Sequence, residues 1–93
     1  MVDDERSWTF LSNHGHVLVD VSRRPDGRIR DIAETVGITE RAAQLILRDL
    51  ERAGYVTKTK VGRRNVYAVN PDGKLRHPAE TETSVRDLLS IFH

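Results

Sequence analysis

Apolar residues recur at helical spacing in several stretches, and the polar breaks between them set the element boundaries. The first stretch starts at Ser12 or Asn13, both residue types that cap helices, and runs to Arg23. It stops because Pro25-Asp26-Gly27 cannot continue a helix. Its inward stripe reads as Leu11, His14 or Gly15, Leu18 and Val21 or Ser22, with Val17 alongside. Arg28-Ile29-Arg30 alternates polar, apolar, polar, which predicts a very short strand or an extended entry into the next helix. A short second helix follows from Asp31 to Val36, with Asp31 and Glu34 favoured by its positive N-terminal end. Gly37 ends that helix, Ile38 turns back towards the core, and Thr39 can cap a third helix through its hydroxyl while Glu40 adds negative charge to the first turn.

The third helix runs to about Ala53 and stops at Gly54. Ala43, Ile46, Leu47 and Leu50 lie at spacings of three and four and so share one buried face. Arg41, Gln44, Leu45, Arg48 and Arg52 fall on the other. Tyr55 to Val61 has the β-branched alternation of a strand, Gly62-Arg63-Arg64-Asn65 reads as a turn, and Val66 to Val69 as the returning strand, giving a β-hairpin with a basic tip. Asn70-Pro71-Asp72-Gly73 is a turn and residues 74–82, with Pro78, an irregular connection. A last helix from Thr83 or Ser84 carries Val85, Leu88, Leu89 and Phe92 on one face. The expected organisation is an N-terminal segment at 1–12, a three-helix core with a β-hairpin at 13–70, a connection at 71–82 and a C-terminal helix at 83–93. The class is mainly α with a small β-hairpin.

Composition sharpens this picture. A chain of 93 residues has room for one domain, and a hydrophobic fraction of 38% is low for a self-sufficient core of that size. Apolar clusters at both ends, Trp8, Phe10 and Leu11 and then Val85 to Phe92, look like more surface than one subunit can cover, which predicts an oligomer. With no cysteine, disulfides and thiolate sites are excluded. Met1 to Ser7 is acidic and leads into no apolar run of signal or membrane-spanning length, so a cytoplasmic protein without membrane association is expected. The net charge is only +1, yet Arg41, Arg48, Arg52, Lys58, Lys60, Arg63 and Arg64 are opposed locally by Asp49 and Glu51 alone. One basic surface, as in nucleic-acid binders, is the consequence.

The run Ile32-Ala33, Val36-Gly37-Ile38, Ala43 and Ile46 fits a helix-turn-helix: Ala33 allows close helix crossing, and Gly37 takes a turn conformation that a Cβ would resist. With Leu50-Glu51-Arg52-Ala53-Gly54-Tyr55-Val56 and the basic hairpin, the chain from Asn13 to Val69 resembles the winged helix-turn-helix of MarR- and ArsR-type transcriptional regulators. That resemblance implies a third helix, at 39–53, in the major groove of double-stranded DNA, a wing at 58–65 on the backbone or minor groove, and dimerisation through terminal segments. The candidate DNA contacts are Thr39, Arg41, Ala42, Gln44, Leu45, Arg48, Lys58, Lys60, Arg63, Arg64 and Asn65. Arg and Gln side chains read guanine and adenine edges, and the wing cations neutralise phosphates. The candidate homodimer interface is Trp8, Leu11, Val85, Leu88, Leu89 and Phe92.

Leu45 departs from a polar recognition face. Two readings stand: contact with a thymine methyl, or cover by a neighbouring element. It also favours the alternative that the chain is a winged-helix module binding another protein. No catalytic, cofactor or metal site is expected. There is no nucleophile with a base or phosphate-binding glycine loop, and His14 and His16, two apart on a helix, face different ways. A His77, Glu80 or Glu82 site shared across a dimer stays a minor alternative, and Ser84, Asp87 and His93 read as a helix cap, a first-turn acid and a chain end. The sequence leaves the operator and any small-molecule effector open.

Overall fold

The computed structural model describes residues 8–92, so the acidic stretch at 1–7 and His93 lie outside it. Helix α1 spans Asn13–Arg23, and its cap is the expected Ser12, whose Oγ accepts the Gly15 N–H at 3.3 Å. The buried surface of α1 is wider than the expected stripe. Val17, Leu18, Val19, Asp20 and Val21 are all buried, because α1 packs against the other two helices and the hairpin at once.

Helix α2 spans Ile29–Val36, two residues earlier than expected, so of the short strand or extended entry expected at Arg28-Ile29-Arg30 only Arg28 is extended. Arg28 is the extended cap, and its carbonyl accepts the Ile32 N–H at 3.0 Å, so Ile29 and Arg30 form the first helical turn. Three alternating residues fit one turn of helix as well as a strand. What ties this region to the hairpin is one backbone bond, from the Tyr67 N–H to the Pro25 carbonyl at 2.9 Å. At Gly37 the chain reverses with φ 87°, and both Gly37 and Ile38 N–H groups reach the Ala33 carbonyl, at 2.8 and 3.0 Å. A Cβ there would meet nothing within 4 Å, so the backbone conformation itself makes the glycine necessary.

Helix α3 spans Glu40–Arg52, capped by Thr39 Oγ1 on the Ala42 N–H at 3.0 Å. Its expected apolar face, Ala43, Ile46, Leu47 and Leu50, is buried against α1 and α2. Strands β1, Val56–Val61, and β2, Arg64–Val69, pair antiparallel from Val56↔Val69 to Val61↔Arg64. The turn is therefore only Gly62-Arg63, shorter than the expected Gly62 to Asn65. Gly62 has φ 64° and Arg63 no positive φ, as a two-residue hairpin with glycine first requires.

Past the Asn70 turn, a 3₁₀ turn at Pro78–Glu80 leads to helix α4, Val85–Ser90, with Ser84 Oγ accepting the Asp87 N–H at 3.1 Å. Here an expectation fails. Val85 and Leu89, assigned above to a subunit interface, are 0% and 8% exposed in the chain's own core. The Val85 N–H also donates to the Gly73 carbonyl at 2.7 Å, which pins α4 to the turn after the hairpin.

Candidate nucleic-acid interface

On α3 the residues turned from the core are Arg41, Gln44, Leu45, Arg48 and Arg52, all exposed. Spacings of four, three and four put Arg41, Leu45, Arg48 and Arg52 in one row along the helix. Ala42 beside them is half-buried, and the Thr39 hydroxyl is occupied as the cap. Of the two acids near this face, Asp49 is drawn off it. Its Oδ2 lies 2.8 Å from Nε2 of His14 on α1.

Alternation along the hairpin puts Lys58 and Lys60 on the same side as buried Val56, with Tyr67 and Asn65 as their cross-strand partners. That side faces α3 across a cleft of about 340 Å³ lined by Gln44, Arg48, Glu51, Lys58, Asn65 and Tyr67 among others. Burial, with Glu51 adding to it, pushes the Tyr67 phenol above its ordinary pKa. Arg63 sits exposed at the tip. Arg64, expected beside it in the turn, is the first residue of β2, and its guanidinium donates to the Asp26 carbonyl.

Among the described residues, the ion pairs are His14–Asp49, Arg24–Asp20, His77–Glu80 and Arg86–Asp72. None of Arg41, Arg48, Arg52, Lys58, Lys60 and Arg63 takes part in one. Two further cations were missed from the sequence. Arg28 lines the space between the hairpin and the start of α2, and Arg30 is exposed one residue into that helix. The signal was present in the polar positions of Arg28-Ile29-Arg30, but neither a short strand nor an extended entry gives these residues a helical face shared with the site.

MepR, a transcription regulator of the Staphylococcus aureus multidrug efflux pump MepA, has a similar solved structure, with a TM-score of 0.60 at 20% identity over 98% of this chain. T. potens IscR is similar too, with a TM-score of 0.61 at 13% identity, over 96% of this chain and 91% of its own. The fold is a winged helix-turn-helix. The chain spans 62% of the length of MepR. No protein-family model matches the sequence and no curated protein resembles it, so the likeness is one of fold. In this winged helix α2 and α3 form the helix-turn-helix and β1–β2 is the wing.

Away from α3 and the wing, the terminal apolar residues divide. Val85 and Leu89 belong to the core, Leu11, Leu88 and Phe92 are half-buried, and Trp8, Phe10 and Ile91 are 64%, 92% and 72% exposed. The Trp8 and Phe10 rings meet edge to face at 5.2 Å, and the Arg23 guanidinium lies 5.9 Å from the Phe92 ring centre while donating to the Phe92 carbonyl at 2.7 Å. The described histidines have local partners. His16 Nε2 is 3.0 Å from Thr9 Oγ1, and His77 Nδ1 accepts the Ala79 N–H at 3.0 Å. Among the described residues no group of three or more His, Asp or Glu is placed to hold a metal ion, and no helix is long and apolar enough to cross a membrane.

Proposed function

We propose that this chain is a cytoplasmic transcriptional regulator that binds double-stranded DNA as a homodimer and carries out no chemistry of its own. One observation carries the reading: a helix and an adjacent wing present six cations, Arg41, Arg48, Arg52, Lys58, Lys60 and Arg63, with no acidic partner within ion-pair distance among the described residues. Leaving so many cations unpaired on one side of a small domain with a net charge of +1 makes sense where a polyanion supplies the counter-charge. The recognition helix enters the major groove, with Arg41, Gln44 and Arg48 offering donors to base edges. The wing cations and Arg28 neutralise phosphates. That MepR is a transcription regulator agrees with this reading.

A homodimer suits the exposed terminal aromatics. Trp8, Phe10 and Ile91, flanked by Leu11, Leu88 and Phe92, form the apolar surface on which a second copy can pack, placing two recognition helices about one helical turn of DNA apart. A protein-interaction module is the second reading, and exposed Leu45 in the recognition row is the observation that favours it. Fluorescence polarisation with a mixed-sequence duplex at low salt separates the two. Saturable binding is expected, and its absence would move the assignment to a protein partner.

A further inference from the structure

We infer that Leu45, with Ala42 beside it, reads the 5-methyl group of a thymine in the major groove, so that the preferred site carries a thymine at a fixed place in each half-site. This rests on the DNA-binding reading above and deepens it. Leu45 is 44% exposed, so no neighbouring element of the chain covers it. Its neighbours on the helix surface are Arg41 one turn before, Ala42 at the i−3 position, Arg48 at i+3 and Asp49 at i+4.

An apolar protein surface laid on Leu45 would have to strip water from the Arg41 and Arg48 guanidiniums without supplying anions, which is costly. Duplex DNA satisfies both needs at once. Its phosphates and guanine edges take the arginines, and the thymine C5-methyl is the apolar group of its major groove. Asp49, the acid one turn after Leu45, is held towards α1 by His14 at 2.8 Å, which draws its carboxylate away from the leucine. Ala42, half-buried and small, leaves a shelf beside the leucine on which a methyl group can rest.

The test starts from a duplex selected from a random library by the full chain. Each thymine of the selected site is replaced singly by deoxyuridine, which removes only the methyl, and affinities are measured for the natural chain and for Leu45→Ala. One thymine per half-site is expected to matter, with its replacement weakening binding roughly fourfold per methyl lost. Leu45→Ala, at an exposed position and checked by thermal melting to be folded, is expected to bind the thymine and deoxyuridine duplexes equally. Indifference to every replacement, a selected site without a constant thymine, or undiminished deoxyuridine sensitivity in Leu45→Ala overturns the inference while leaving DNA binding intact. Failure of the natural chain to bind any duplex overturns both.

Discussion

Arg63 and Arg64 are neighbours in sequence and differ in what holds them. Arg63 has no ion-pair partner among the described residues, whereas the Arg64 guanidinium is held by the Asp26 carbonyl and so links the wing to the α1–α2 turn. Arg63→Ala is expected to reduce the salt slope of DNA binding by about one unit per subunit and leave the melting temperature unchanged. Arg64→Ala should instead lower stability by roughly 1 kcal/mol, read as a shift of the urea midpoint. Gly37→Ala forces a Cβ into φ 87° and should cost about 1–2 kcal/mol by the same measurement, with little change in contacts. Gly37 and Thr39 were legible in the sequence because each has a single local job. Asp20 was not. It is buried at 7% exposure, with Oδ1 2.7 Å from Arg24 Nη2 and Oδ2 without a partner among the described residues, and helical periodicity alone assigns such a carboxylate to solvent. Arg24 also donates to Thr35 Oγ1 at 2.8 Å, tying the end of α1 to α2.

Elements divide the labour in a way that mutants can separate. If α3 reads bases as proposed, Arg41→Ala and Gln44→Ala on that helix should each lose about 1–3 kcal/mol of discrimination at one base pair. Lys58→Ala with Lys60→Ala on the wing should weaken binding to all sequences alike, so that affinities for a selected site and for random duplex fall in parallel. The helix-turn-helix was legible because cap, glycine and apolar spacing all agree over Ala33 to Leu50. The start of α2 and the length of the hairpin turn were not, since Arg28-Ile29-Arg30 and Arg64-Asn65 carry too few residues for a period to declare itself. Helix α4 begins after Ser84 as expected but ends at Ser90, short of Phe92, and its role was misjudged. A surplus of apolar residues says that something must cover them, and only the three-dimensional arrangement says that Val85 and Leu89 are covered by their own chain. Val85→Ala should therefore destabilise the domain by about 2 kcal/mol, read by urea unfolding, independently of protein concentration. Removing α4 would strip Val85 and Leu89 from the core, so a shortened chain reports on stability as well as on dimerisation.

At the scale of the whole molecule, the exposed Trp8, Phe10 and Ile91 are what remain of the terminal apolar surplus. Phe10→Glu combined with Ile91→Glu, at positions 92% and 72% exposed, leaves the core untouched and should convert a dimer to monomer by light scattering at micromolar concentration. The natural chain should favour inverted repeats whose half-sites lie roughly ten base pairs, about 34 Å, apart, and the monomeric variant should lose that spacing preference. The basic surface was legible from the run Arg41 to Arg64, although the net charge of +1 conceals it. The proposed DNA binding rests on this surface displacing counterions from a duplex. Its most direct test is the affinity for duplex DNA as a function of salt. For a dimer neutralising about 6 to 10 phosphates, affinity should fall by roughly 10³ to 10⁵ between about 50 and about 200 mM salt. A shallow dependence on salt, or no binding at the lower concentration, would contradict it.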